Sequence, residues 1–397
     1  MDGDGHTIQD VDIHNKSRLS VLFILAFFFS VNMALTSYIN SSFLEQFASP
    51  KVLGLIYMAG SALTLFILLK LPFILTKIGN YKMILGFIAL SIISLSFFSF
   101  FGSTLWVIIF FIIYMMTNSI IYASLDEFVE YYSKVSKVGS IRGVYFTIQN
   151  IGWIASPFLA GVLVETIGFR VPYTVALVAM IIMFFGVLFW LHTYRDPKYF
   201  EHVRFKRLIS DVKKYPGVYG SYWVNVILNF FYAWMIVYAP IYLHETIGFG
   251  WETIGIMFTV MLVPFIVLQF PLGRLADKYI GEKEIMITGL CIMAVSVVGV
   301  GLLNSTNPII WGALLFLTRI GASATEIAIE TYFFKQVTPT DTGFLGFYRS
   351  AHPVSYILGT LVASLLLLIM PMQYIFFVLA FIILIGVYFA SKLIDTK

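Results

Sequence analysis

Charged side chains are scarce in this 397-residue chain, only 12% of the total, and cysteine occurs once, as Cys291. A soluble domain carries about 25% charged residues. A chain this poor in them, 59% hydrophobic with a mean hydropathy of +0.90, could not hide its apolar surface from water, because roughly a quarter of a fold this long stays exposed. A soluble enzyme, a nucleic-acid-binding protein and a disordered chain are excluded on that ground. The lone cysteine allows neither an intrachain disulfide nor a multi-cysteine metal site. The six histidines (His6, His14, His192, His202, His244 and His352) are scattered, with no HExxH, and neither GxxxxGKS/T nor GxSxG occurs. No cofactor, resident metal or ATPase motor is therefore expected.

What is present is apolar sequence in runs of membrane-spanning length. At roughly 20 residues per span, the runs and their breakers place spans near 19–40, 51–70, 82–102, 105–127, 142–165 and 172–191, then 218–241, 252–270, 284–303, 309–334, 343–369 and 372–391. Pro50, Pro172, Pro308 and Pro371 fall at first turns, where a missing N–H costs nothing. The predicted organisation is an N-terminal tail (1–18), a six-helix bundle (19–191), a charged cytoplasmic linker (192–217), a second six-helix bundle (218–391) and a short tail (392–397). The first apolar stretch follows MDGDGHTIQDVDIHNKSR without a small-residue cleavage site, and so reads as an uncleaved span. With the N-terminus inside, Lys51 and Arg170 fall outside and Arg319 within a span, leaving the other 22 of the 25 basic residues on the inner side. The positive-inside bias then makes both termini cytoplasmic in a multi-pass plasma (inner) membrane protein.

The halves echo one another at an offset of about 200 residues. Tyr38 pairs with Tyr238, Asp126 and Glu130 with Glu326 and Glu330, Gly143 with Gly343, and Gly79 with Gly281 after a slip of two. Six spans return a chain to the same side, so the halves are parallel repeats, which places a cavity at their interface. The loop GRLADKYIGEK (Gly273–Lys283) resembles the G-x-L-a-D-R/K-x-G-R/K loop of the major facilitator superfamily, with one extra residue before Gly281. Its counterpart PFILTKIGNYK (Pro72–Lys82) keeps Lys77, Gly79 and Lys82 but has Thr76 and Pro72 in place of the usual Asp and Gly. GWIASPFLAG (Gly152–Gly161) is similar to the family's fifth-span motif, with Ser156 and Ala160 replacing glycines. The resemblance implies an all-α fold of 12 transmembrane helices in two pseudo-symmetric bundles, a secondary transporter with spans 1, 4, 7 and 10 along the path, and no enzymatic activity.

Arg319 is the sharpest single residue. It lies roughly 15 Å into the tenth span at 1.5 Å per residue, where a charge is costly unless it faces water or a partner. It either holds an anionic or carbonyl-bearing solute or pairs internally with Asn118, Ser119 or Glu326. Asn32, Asn118, Ser119, Tyr122, Asn225, Asn229 and Tyr232 are candidate cavity contacts, or else interhelical hydrogen-bonding glue. Gating is expected of Gly273, Arg274, Asp277, Lys278 and Gly281, with Arg274 and Lys278 pairing to Glu326 and Glu330, and Lys77 and Lys82 more weakly to Asp126 and Glu130. By resemblance, Asp277 would cap the start of span 5. Small-residue faces, Gly152/Ser156/Ala160 and Ser355/Gly359/Ala363, suggest close contacts on which the halves rock.

The expected function is secondary transport of a small organic solute by alternating access, with proton-coupled efflux of an amphipathic compound as the leading reading. Uptake or facilitated transport of an anionic metabolite is the alternative within transport, and a non-transporting sensor or assembly protein on the same scaffold the alternative outside it. The expected partners are the solute, protons and the lipid bilayer, without nucleic acid, in a chain that works as a monomer.

Overall fold

A computed structural model describes residues 8–132, 138–194, 196, 214–275, 279–336 and 347–394. They are helical, and no strand occurs among them. In chain order the helices are α1 (Ile8–Ser37), α2 (Asn40–Glu45), α3 (Pro50–Phe100), α4 (Thr104–Tyr132), α5 (Val138–Thr166), α6 (Arg170–Trp190), α7 (Pro216–Val237) and α8 (Ala239–Ile241). A π-helical turn (Tyr242–Thr246) follows, then α9 (Trp251–Val267), α10 (Gln269–Leu275), α11 (Glu282–Leu302), α12 (Pro308–Gln336), α13 (Ala351–Leu366) and α14 (Met372–Ser391).

Ten of the described helices are long and apolar enough to cross a membrane. Two physical details reconcile that number with twelve spans. At 51 residues, α3 far exceeds one bilayer crossing, and its backbone leaves the helical region at Gly79 (φ 77°, ψ 163°); two spans meet there. In α13 only 16 residues are helical, shorter than the 343–369 expected, and residues 343–346 lie outside the described part. The linker 192–217 is likewise mostly outside it, as are residues 1–7 and 395–397.

The repeat is visible in where helices stop. α1 ends at Ser37 and α7 at Val237, and each is followed by a tyrosine, Tyr38 or Tyr238. α4 and α12 are both 29 residues long, their starts and ends each 204 residues apart. Gly281, before α11, repeats the backbone of Gly79 with φ 97° and ψ 162°. At positive φ only glycine is free of a Cβ penalty, so both sharp restarts fall on it.

Two compact units result: Met1–Ser37 with Phe66–Glu201, and Tyr38–Leu65 with His202–Lys397. The chain thus leaves the first unit after α1 and re-enters it partway along α3. This division by compactness differs from one made at the linker, because Tyr38–Leu65 packs with the second unit. In the first unit α1 lies against α5 and α6. In the second, α11 packs on α12 and α14, while α13, α14 and α12 surround α7. The small-residue faces serve these internal contacts. A Cβ on Gly152 would overlap Ser30 Oγ of α1, and one on Gly359 would come within 3.3 Å of the Trp234 ring of α7. Trp234 Nε1 donates to the Gly359 carbonyl at 2.7 Å, and Ser355 Oγ to that of Val226 at 2.7 Å. These faces thus take part in the packing of span 5 on span 1 and of span 11 on span 7.

Candidate functional site

α12 starts at Pro308 and carries Arg319, Glu326 and Glu330 at steps of seven and four, which puts them along one face. Its placement is set two residues beyond Arg319, where Gly321 and Gly289 of α11 meet backbone to backbone. A Cβ on Gly321 would lie 2.5 Å from the Gly289 carbonyl oxygen. The two helices therefore approach closely enough to fix Arg319 along and around the axis.

Arg319 is 1% exposed, and its Nε and Nη2 have no hydrogen-bond partner among the described residues. Its guanidinium carbon lies 5.0 Å from the centre of the Phe231 ring and 5.6 Å from that of Tyr232, both on α7. Those faces offer cation–π attraction but no acceptor. The phenols of Tyr38 and Tyr356 lie within coulombic reach of the same cation. Tyr38 stacks at a tilt on Phe258 (4.8 Å), and Tyr356 on His352 (4.6 Å). A buried cation surrounded by rings in this way can take an anion that also presents an apolar body.

Two of the internal partners expected for Arg319 are engaged elsewhere. Glu326, half-buried, accepts from Tyr232 Oη at 3.0 Å. Asn118 Oδ1 accepts from Asn32 Nδ2 at 3.2 Å. Ser119 and Tyr122 are half-buried, Tyr122 lying 6.4 Å from Phe29 between ring centres. Asn32 is fully enclosed, and its Oδ1 also accepts from Tyr114 Oη at 2.9 Å, which in turn meets Thr36 Oγ1 at 3.0 Å. Asn32, Thr36, Tyr114 and Asn118 thus form one network tying α1 to α4, in which Tyr114 and Thr36 were not foreseen. In the second unit, Asn229 Nδ2 donates to Asn225 Oδ1 (2.8 Å) and Asn225 Nδ2 to the Tyr348 carbonyl (3.3 Å).

Among the gating candidates, Gly273 is half-buried on α10, Asp126 half-buried on α4 and Glu330 exposed. Gly281 forms the positive-φ restart already described. Asp277, Lys278 and the side chains of Arg274 and Glu130 lie outside the described residues, as does the capping role expected of Asp277. Two other contacts occupy the corresponding helix starts. Asp196 accepts from the backbone N–H of Asn80 immediately after Gly79, a carboxylate at a helix N-terminus. Glu282, immediately after Gly281 and 1% exposed, pairs with Lys335 at the end of α12. The signal for both was the glycine pair itself, one residue upstream of each contact.

An all-helical, multi-pass membrane protein built from a repeated bundle, with polar side chains enclosed among its spans, has the architecture of a membrane transporter. The sequence model of the Major Facilitator Superfamily matches residues 19–256 and 222–396, and the chain belongs to that superfamily. It is a secondary transporter and not an enzyme. The crystal structure of a bacterial homolog to the human lysosomal transporter Spinster, inward-facing and unoccupied, matches with a TM-score of 0.74 at 11% identity. The match covers 95% of this chain and 96% of that one. At that identity the likeness is one of fold. No curated protein sequence matches the chain.

Proposed function

We propose that this protein exports a small amphipathic organic solute across the plasma membrane by alternating access of two six-helix bundles, with both termini cytoplasmic and protons as the coupling ion. The observation that carries the reading is Arg319, a buried cation with two idle N–H donors in an aromatic surround. A charge held this way without a partner is costly to folding and is expected where it serves a pathway. Tyr232, Asn225 and Asn229 of α7 are the companion contacts. Asn32, Asn118, Ser119 and Tyr122 contribute from the first half through positioning.

Glu326 supports proton coupling, because an acid two turns from Arg319 feels both the cation and whatever binds it, so solute and proton occupancy are linked. Gating falls to the Gly273–Lys283 loop with Asp126, Glu130 and Glu330. The same arginine supports a second reading, uptake of an anionic metabolite, which differs in direction rather than in site.

A thermal-shift screen of the purified protein against metabolites and drugs at two pH values, followed by flux in proteoliposomes, tests the proposal. A solute that stabilises the protein and moves faster under an imposed proton gradient is the expected result. Flux indifferent to the gradient would mark a uniporter, and binding without flux a sensor on a transporter scaffold.

A further inference from the structure

The two idle donors of Arg319 are not an arbitrary pair. Nε–H and Nη2–H lie on the same edge of the guanidinium and point the same way, forming the side-on fork that takes both oxygens of a carboxylate in parallel hydrogen bonds. Both are without a partner among the described residues, in a side chain only 1% exposed. The Phe231 and Tyr232 rings, whose centres lie 5.0 and 5.6 Å from the guanidinium carbon, offer π faces rather than hydrogen-bond acceptors. The nearest acid along α12, Glu326, is taken by Tyr232 Oη and lies about 10 Å away along the helix axis at 1.5 Å per residue.

Resting on the transport reading above and narrowing it, we infer that the solute is an amphipathic monocarboxylate, whose carboxylate docks on the Nε/Nη2 edge of Arg319 while its apolar or aromatic body lies against Phe231, Tyr232, Tyr38 and Tyr356. Each element follows from a separate need. An amine would meet a like charge at the guanidinium, and the acid on this face, Glu326, already accepts from Tyr232 Oη. A neutral amide offers one uncharged carbonyl oxygen to two parallel donors, so both bonds converge on a single atom at poorer angles and without charge assistance. A small hydrophilic anion would fill the fork but would gain nothing from four aromatic side chains. The rings do not discriminate finely among apolar bodies, so selectivity is expected to lie in the head group.

Binding is measured by isothermal titration and thermal shift on the full-length protein in detergent. The probes are decanoate, benzoate, naphthalene-2-carboxylate and indole-3-acetate, each against its primary amide. At least one carboxylate is expected to bind tenfold or more tightly than its amide. Arg319→Lys, which keeps the charge but lacks the fork, is expected to weaken that carboxylate at least tenfold, and Arg319→Gln further. Amides binding as well as carboxylates, undiminished binding to Arg319→Lys, or no carboxylate binding at all would each overturn the assignment. Counterflow in proteoliposomes separates this failure from failure of the transport reading. Carboxylate binding without counterflow leaves the Arg319 site standing and ends the transport reading. Counterflow of amides or amines, but not of carboxylates, ends the carboxylate assignment and leaves transport standing.

Discussion

The Tyr232 hydroxyl donates to Glu326 Oε2 at 3.0 Å, so the acid on the Arg319 face of α12 is held by α7 rather than by the guanidinium. The bond links the helix that carries the cation to the helix whose rings cover it. A hydrogen bond to a carboxylate contributes about 1.5–3 kcal/mol. Tyr232→Phe is expected to lower stability by about that much, read as thermal unfolding in detergent. In the Tyr232→Phe background, Glu326→Ala should cost little more, the signature of a coupled pair. Fully additive losses would mean that the two side chains act independently.

Arg319 illustrates the opposite sign. Enclosing a charge without a partner costs several kcal/mol, and that cost is borne by the ligand-free protein. Arg319→Met keeps an unbranched chain that adapts to the space while removing the charge. The ligand-free variant is expected to unfold at a higher temperature than the parent, by the equivalent of about 1–4 kcal/mol, while losing stabilisation by any carboxylate. A lower unfolding temperature would mean that the guanidinium is well solvated or paired in the folded protein.

The spans, their repeat and the two glycine restarts are legible in the sequence because each has a strong local cause: an apolar run, a matched acid, a residue that alone tolerates positive φ. Arg319 is legible because a single cation in an apolar run stands out. The partners are not. In a membrane the lipid-facing side of a helix is as apolar as the packed side, so periodicity does not reveal rotation. Asn32 could not be assigned to Tyr114 and Asn118 by pattern alone. The Glu282–Lys335 pair joins residues 53 apart, and the Asp196 contact to Asn80 joins residues 116 apart. No local rule reaches that far. The small-residue faces were recognised as contact surfaces, but nothing in the spacing says which helix a small face will meet.

Glu45, at the end of α2 and outside the spans, is half-buried. Burial first, and the charge of Glu245 second, push its carboxyl up from 4.5 to about 7. The two acids stand 200 residues apart, the repeat offset. Between those pH values the folded chain holds a proton that the unfolded chain has released. Glu45 therefore leaves stability greatest below about pH 4.5, erodes it as pH rises toward 7, and has no further effect above that. Glu45→Gln is expected to unfold at a higher temperature than the parent at pH 8 and at nearly the same temperature near pH 4.5. Glu245→Gln, which removes the lesser cause, should narrow the difference without abolishing it. Equal unfolding temperatures of parent and Glu45→Gln at pH 8 would refute the shift.

Gly54, near the start of α3, lies hard against α13. A Cβ there would overlap Ser364 Oγ and the Thr360 carbonyl oxygen and come within 2.7 Å of Tyr238 Oη. The Ser364 hydroxyl could rotate away, but the Thr360 carbonyl belongs to a helix backbone and cannot yield locally. Gly54→Val should therefore part the start of α3 from α13 rather than be absorbed by a rotamer change. Ser364, 5% exposed in the parent, reports on that parting when it is replaced by cysteine in a Cys291→Ala background; the substitution removes the native thiol, which is itself exposed. Maleimide labelling of Ser364→Cys is expected to be slow when residue 54 is glycine and at least tenfold faster with Gly54→Val. Unchanged labelling would show that the helices accommodate the extra carbons by sliding along one another, with the contact still closed.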